Sequence, residues 1–348
     1  MHTKAYAAHN ATSPLTPFEF DRRKPTSHDV EFEILFCGVC HTDVHRVKDD
    51  WNSTKYPVVP GHEIVGRIIN IGDKVTKHTV GDIIGVGCLV NSCGTCEACK
   101  EGLEQYCENG NTGTYNSVDP IDGEITKGGY SQYGIAHEDF VLTIPDNLSP
   151  AAAAPLLCAG ITVYSPLKHW DVKSGMKIGV VGVGGLGHMA IKYAKALGAE
   201  VTAITTSESK ASDARRYGAD DLIISTDSEE LDAHKSSLDF IISTIPVSHN
   251  IQPYIDLLRR DGTLVLVGVL SPVEEFNAKS LMTKRRSVAG SIIGGIKETQ
   301  EMLNFSSQNN IEPEVSLIPI EMINDAFDHI QSKDLSHRYV IDLKDSFK

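Results

Sequence analysis

The 348-residue chain predicts an α/β protein in two parts, a β-rich N-terminal domain and a doubly wound parallel sheet. Three observations carry this. The N-terminal part has short apolar runs bounded by Gly72-Asp73 and Gly81-Asp82, pairs that suit tight turns between strands. Further on, Gly182-Val183-Gly184-Gly185-Leu186-Gly187 follows an apolar run and opens a helical segment, the strand-turn-helix setting that gives a G-x-G-x-x-G spacing its meaning. Beyond that loop strands and helices alternate, as a parallel sheet with crossover helices requires. The length exceeds that of one ordinary domain, and a 41% hydrophobic content suffices for two cores.

In chain order, Asp29 to Phe36 alternates in part and reads as a strand delivering Cys40 to a turn. Val65 to Ile71 and Ile83 to Val86 are further strands. A cysteine-rich lobe, 91–108, follows. Ala151 to Tyr164 reads as a helix leading out of the first domain with Cys158 near the crossover. Lys177 to Val181 is a buried strand, and the helix from about His188 to Leu197 is stopped by Gly198. Next come strand Glu200 to Thr205, a helix ending at Tyr217-Gly218, strands Leu222 to Ser225 and Leu238 to Ser243, a helix near Ile251 to Leu258, and strand Thr263 to Val267. Arg285 to Gly295 reads as one more strand, Glu298 to Phe305 and Ile320 to Ile330 as helices, and Tyr339 to Leu343 as a last strand. The expected division is 1–154 with 291–348 for the first domain and 155–290 for the nucleotide domain.

Acidic residues outnumber basic ones 46 to 32, a formal charge of −14, which argues against a general nucleic-acid or anionic-membrane surface. The segment from Met1 to Phe20 lacks a basic stretch leading into an apolar run, and nowhere do about 18 apolar residues run together, so a cytoplasmic protein is expected. Eight cysteines in such a compartment point to metal or catalysis before disulfides.

Cys40-His41-Thr42-Asp43-Val44-His45 sets a soft ligand, a hydroxyl, a carboxylate and two imidazoles within six residues. Cys40 with His62 and Cys158 would supply two sulfurs and one imidazole, leaving a fourth tetrahedral position open, as at a catalytic zinc. A metal pair of His41 and His45, four apart, is the alternative for that stretch. Cys93, Cys96, Cys99 and Cys107 follow C-x2-C-x2-C-x7-C and can close a tetrahedron of their own, which makes a structural zinc. The remaining Cys37 and Cys88 read as core residues. In the glycine loop, Gly182, Gly184, Gly185, Leu186 and Gly187 would wrap a dinucleotide pyrophosphate at a helix N-terminus. At the end of the next strand Thr205, Thr206 and Ser207, with Lys210 beyond, offer hydroxyls and an ammonium where an NAD enzyme would carry a carboxylate. They suit the 2′-phosphate of NADP, although Glu208 lies close.

With these residues in hand the chain resembles the zinc-dependent medium-chain alcohol dehydrogenases, cinnamyl alcohol dehydrogenase branch, and most of all the bacterial NADP-dependent aldehyde reductases. The likeness runs nearly end to end: Gly38-Val39-Cys40-His41, Pro60-Gly61-His62-Glu63, the four-cysteine lobe, Leu157-Cys158-Ala159-Gly160, Gly182 to Gly187, and Arg338-Tyr339-Val340-Ile341-Asp342. The resemblance implies a GroES-like catalytic domain, a Rossmann domain, two zincs per subunit, NADP, and a homodimer paired through the strand near Ser287 to Ile293. It implies Asp43 as partner of His62, Glu63 as an alternative zinc ligand, His41 and Arg338 near the pyrophosphate, and Trp51 as a pocket wall. Plant members carry a Trp shortly before the Tyr-Asn matched by Tyr115-Asn116, whereas Gly113-Thr114 stands here, so a differently shaped pocket is expected.

The reaction expected is reversible hydride transfer between NADP(H) and a primary alcohol or aldehyde, mainly aldehyde reduction over a broad aromatic and aliphatic range. Thr42 and His45 would relay the proton between the reacting oxygen and solvent. An NAD-dependent polyol or alcohol dehydrogenase of the same superfamily is the nearer alternative, although that relative usually has an acidic residue where Cys158 stands. A non-enzymatic zinc-binding interaction module is the more distant one.

Overall fold

A computed structural model describes residues 1–268, 272–331, 337–344 and 346–347. The chain forms two compact units, Met1–Cys158 with Gly294–Lys348, and Ala159–Ile293. The crossing points fall a few residues later than the expected 154/155 and 290/291, so Cys158 closes the first segment of the first unit rather than lying in the second.

The first unit is built on strand Asp29–Gly38. Its ten residues pair antiparallel with Ile64–Ile71 on one side; on the other, its first half pairs with Tyr133–His137 and its last residues with Arg338–Asp342. The sheet runs Val315–Ile318, Arg338–Asp342, Asp29–Gly38, Ile64–Ile71, Ile83–Val86, Leu142–Thr143. Being covered on both faces, Asp29–Gly38 loses the strict alternation of a half-exposed strand, and all residues from Phe36 onward in it are buried. Val30, Phe32, Ile34, Ile64, Ile68 and Ile84 make the centre of this core, each at most 3% exposed. Helix Ile323–Gln331 adds Ile323, Ala326, Phe327 and Ile330, the three-and-four spacing of one helix face.

Strand order in the second unit is Asp221–Ile224, Glu200–Thr205, Lys177–Val181, Leu238–Ser243, Leu258–Leu266, Ser287–Gly290, all parallel. In sequence order this is 3-2-1-4-5-6, the doubly wound arrangement, with its direction switch beside Lys177–Val181. The glycine loop therefore leaves the sheet at the crevice where such folds bind ligands.

Several elements differ from expectation. Only Ser287–Gly290 of the stretch 285–295 is strand, because its partner Leu258–Leu266 ends opposite Gly290. The turn expected at Cys40 is the start of helix His41–Val47, where the Asp43 carboxylate reaches back to the Cys40 N–H. Such a return bond from the third helical residue satisfies a donor that the helix leaves open. The ribbon of His2–Ala7 with Thr16–Asp21 and the edge strand Val315–Ile318 were not foreseen; the first two alternate in burial as half-covered strands do, over only six residues each, and Val315–Ile318 is four residues long. The stretch Pro150–His169 is long and apolar enough to cross a membrane, but 94% of its apolar window is buried, as in a core helix.

Candidate active site and metal centres

The strand register brings the first cluster together. Cys37 faces Ile64 and Val340 faces Gly38, so the residues just before Ile64 and at the start of Arg338–Asp342 meet at the end of Asp29–Gly38. Gly38 has to be glycine there: a Cβ would lie 1.9 Å from a Glu63 carboxylate oxygen. Beyond it, Cys40 ends the strand turn and His62 and Glu63 enter from the neighbouring strand. Cys158 arrives on the π-helical turn Leu156–Gly160, an irregularity common at functional sites. The ligand atoms of Cys40, His62, Glu63 and Cys158 all lie within 4.8 Å of one another, and all four residues are buried.

The orientation of this cluster is set by Asp43, which is fully buried. One of its oxygens accepts from His62 Nδ1 at 3.0 Å and Gly61 N at 3.1 Å; the other accepts from Cys40 N at 3.0 Å and the Tyr130 hydroxyl at 3.1 Å. With its Nδ1 committed to Asp43, the His62 ring presents Nε2 to the thiols, and among the described residues that buried nitrogen has no well-formed hydrogen bond, only the Cys40 sulfur nearby. A buried imidazole nitrogen aimed at two sulfurs is what a zinc ligand requires. The hydrogen bond from Cys158 holds the Cys40 thiol well below its ordinary pKa against the opposing effect of burial, with His62 and Arg338 adding to the lowering. Burial pushes Glu63 up to about 7, although the Arg338 guanidinium that bonds its Oε1 pulls the other way.

The remaining residues expected around this cluster are placed as follows. His41, Thr42 and His45 lie on helix His41–Val47, with His45 Nδ1 2.7 Å from Asp50 Oδ2. Trp51 follows this helix, its ring 5.6 Å from that of His45 and covered by the Arg46 guanidinium at 4.7 Å. The rings of His41 and His45 are 6.3 Å apart, and among the described residues neither joins a group of three metal-type ligands, which sets the His41/His45 alternative aside. Arg338 is buried against Glu63. Cys37 is core, as expected, but Cys88 is not: it is half-buried, its sulfur 3.9 Å from the Leu157 carbonyl and hydrogen-bonded to Cys158. Tyr115, stacked on the His62 ring at 5.9 Å, and Tyr130 also belong to the site. Nothing in the sequence around Tyr130 distinguishes it from a tyrosine that fills the core.

Cys93, Cys96, Cys99 and Cys107 form the second cluster. Their sulfurs pair at 3.9 Å, Cys93 with Cys99 and Cys96 with Cys107. A tetrahedron of bonds near 2.3 Å places sulfurs roughly 3.8 Å apart, so the set fits zinc. Backbone N–H groups of Cys96, Cys99 and Cys93 point at the sulfurs of Cys93, Cys96 and Cys107, and the Asn109 amide donates to Cys93, the main reason that the Cys93 thiol pKa is lowered to about 5. Burial pushes the Cys99 thiol the other way, up to about 11, and all four positions are taken by protein.

In the second unit Gly182, Gly184, Gly185 and Leu186 lead into helix Gly187–Ala196. A Cβ on Gly187 would lie 1.8 Å from the Gly182 carbonyl oxygen, so that glycine serves the close packing of the turn. At Gly184 a Cβ would meet no atom within 4 Å. Among the described residues nothing fills the space beside Gly184, and glycine loops of this kind keep such a space for a pyrophosphate. Gly182 N bonds the Ile204 carbonyl, which sets the end of Glu200–Thr205 beside the loop. There Thr205 is buried, Thr206 is exposed, and Ser207 and Lys210 are half-exposed, with Lys210 on the single turn Glu208–Lys210.

Comparison with known proteins agrees with this geometry. Residues 26–146 match the alcohol dehydrogenase GroES-like domain and residues 185–308 the zinc-binding dehydrogenase family. The chain therefore belongs to the zinc-binding medium-chain alcohol dehydrogenases. Within that class it falls in the branch of the cinnamyl alcohol dehydrogenases and aldehyde reductases. It is 49% identical to aldehyde reductase YahK of Escherichia coli over 98% of both chains, and 48% identical to NADP-dependent alcohol dehydrogenase C 1 of Mycolicibacterium smegmatis over 97% of both. The solved structure of the cinnamyl alcohol dehydrogenase from Helicobacter pylori complexed with NADP(H) superposes with a TM-score of 0.93 at 41% identity, covering 100% of this chain and 99% of that one. The protein is an oxidoreductase with two zinc sites, one structural and one catalytic, and the interaction-module alternative falls away.

Proposed function

We propose that the enzyme transfers hydride between NADP(H) and a primary alcohol/aldehyde pair, acting mainly as a reductase of aromatic and aliphatic aldehydes. The observation that carries this reading is the donor set at Cys40, His62 and Cys158, which offers two sulfurs and a buried imidazole nitrogen, while the fourth neighbour, Glu63, is drawn to Arg338. A sulfur rather than a carboxylate at Cys158 counts against the polyol-dehydrogenase alternative.

Zinc held by Cys40, His62 and Cys158 would supply Lewis acidity at a substrate oxygen, and NADPH would supply the hydride. The chain's own residues do the rest. Asp43 fixes His62 and the Cys40 backbone in one geometry. Glu63, shared between Arg338 and the cluster, is the carboxylate placed to exchange between the two, and Arg338 and His41 serve the cofactor phosphates in this reading. Thr42 moves the proton next to the reacting oxygen and His45, oriented by Asp50, passes it to solvent. Trp51 closes the pocket next to His45. Thr206, Ser207 and Lys210 receive the 2′-phosphate, with Thr205 shaping the strand end from within.

The same reading makes the protein a homodimer, paired through Ser287 to Ile293. Ser287–Gly290 ends the sheet, and Met282 (80%) and Phe276 (37%) are exposed apolar side chains in the same unit. Sedimentation equilibrium at twice the monomer mass is the expected result. The reducing cytoplasm suits the thiolate sites. Steady-state rates with NADPH and a panel of benzaldehydes, cinnamaldehydes and straight-chain aldehydes test the activity. Turnover of several of them is expected. Inactivity with all of them, or faster oxidation of mannitol with NAD, overturns the reading.

A further inference from the structure

We propose that Tyr130 is a positioning residue for the zinc held by Cys40, His62 and Cys158, acting through its hydroxyl on Asp43. The inference rests on the zinc reading of that cluster. A carboxylate has about four lone-pair positions. Asp43 uses all of them: two on the oxygen facing His62 Nδ1 and Gly61 N, two on the oxygen facing Cys40 N and Tyr130. Two of these donors belong to zinc-ligand residues, the His62 ring and the Cys40 backbone. The angle of one carboxylate therefore sets the aim of both ligands. Gly61 N and Cys40 N are attached to the same segments they orient. Tyr130 comes from elsewhere in the chain, and its hydroxyl anchors the carboxylate from outside the ligand segments; the Tyr115 hydroxyl lies near the same carboxylate.

The rest of Tyr130 is held without its hydroxyl. Its N–H bonds the Pro60 carbonyl, its carbonyl accepts from Tyr6 N, and the neighbouring Gly128 and Gly129 bond Val59 and Gly61. The ring packs by Phe327 at 6.3 Å and against Gly61, where an added Cβ would lie 2.7 Å from the Tyr130 ring. A phenylalanine would fill this space equally well. At 0% exposure water does not reach the hydroxyl, and Asp43 is its hydrogen-bond acceptor.

The test compares holo wild type with Tyr130→Phe by zinc transfer to a chromophoric chelator at fixed pH, with the four-cysteine zinc as a control inside the same molecule. Wild type should release two zincs per chain. In Tyr130→Phe the release from the Cys40 site should become about threefold to tenfold faster. This is less than the 10- to 100-fold that loss of a direct partner of a metal ligand gives, because Tyr130 acts one residue removed. The four-cysteine zinc and the Tm should not change. Cobalt substituted at the Cys40 site should show shifted ligand-field bands, and in an Asp43→Asn background Tyr130→Phe should have no further effect. Unchanged release and cobalt bands overturn the proposal, as does equal loss of both zincs with a fallen Tm, which would make Tyr130 a packing residue only. A wild type that holds zinc at the four cysteines alone would instead overturn the reading of the catalytic site, and the proposal with it.

Discussion

Asp50 holds the His45 ring from the solvent side, so the outer end of the proposed proton relay is already oriented, while Thr42 lies closer to Cys40 in the chain. The two should not be equivalent. Solvent can replace an outer proton carrier but not one at the reacting oxygen, and general acid-base groups contribute about 100- to 10,000-fold. Thr42→Ala should therefore lose at least about 100-fold in kcat and His45→Ala less, with the His45→Ala loss smaller still when exchangeable buffer is added. An unaltered Thr42→Ala rate with hydride transfer limiting turnover removes the relay. A second residue-scale expectation concerns stability. Arg23 donates to both oxygens of the fully buried Asp29, at 2.6 and 3.0 Å, and through Nε to Asp119. Burial alone would raise the Asp29 pKa, but the bonds from Arg23 and Thr26 outweigh it and leave it lowered. The stabilisation is therefore whole above the ordinary aspartate range near 4 and is lost as pH falls through the lower folded value. Asp29→Asn should cost about 3 kcal/mol, the low end for breaking a buried pair because Asp119 remains, and should flatten the acid limb of urea-unfolding curves.

At the scale of elements, the lobe 91–108 and the end of strand Glu200–Thr205 carry separable properties. Four sulfurs close the lobe's zinc, and structural zinc contributes directly to folding. Cys96→Ser should reduce zinc from two to one per chain by metal analysis and lower Tm while leaving cofactor preference unchanged. A protein with normal stability and two zincs would refute the assignment. At the strand end Lys210 is the cation among the candidate phosphate contacts. Loss of a bond to a charged group costs about 1.5 to 3 kcal/mol, so Lys210→Ala should lose about tenfold to a hundredfold in kcat/KM for NADPH and little for NADH. Equal losses with both cofactors, or a wild type that prefers NADH, would count against NADP and leave the zinc chemistry standing.

For the whole molecule, the chain by itself determined what depends on neighbours in sequence. The strand-glycine-helix run at Lys177–Val181, the alternation that follows it and the close spacing of Cys93, Cys96, Cys99 and Cys107 are local patterns, so both the doubly wound sheet and the structural zinc were legible. Cys40, His62 and Cys158 were legible as a donor set from their residue types, and the family pattern agreed with it. Tertiary structure decided the rest, because strand pairing brings together residues that no local pattern connects. Arg338 meets Glu63 across 275 residues of chain, and Tyr130 meets Asp43 across 87. Cys88, read as core, lies beside Cys158 because a loop after Ile83–Val86 packs against the π-helical turn. The short segment Val315–Ile318 became a strand for the same reason: a backbone with unpaired N–H and C=O groups takes the conformation its neighbour's free edge offers.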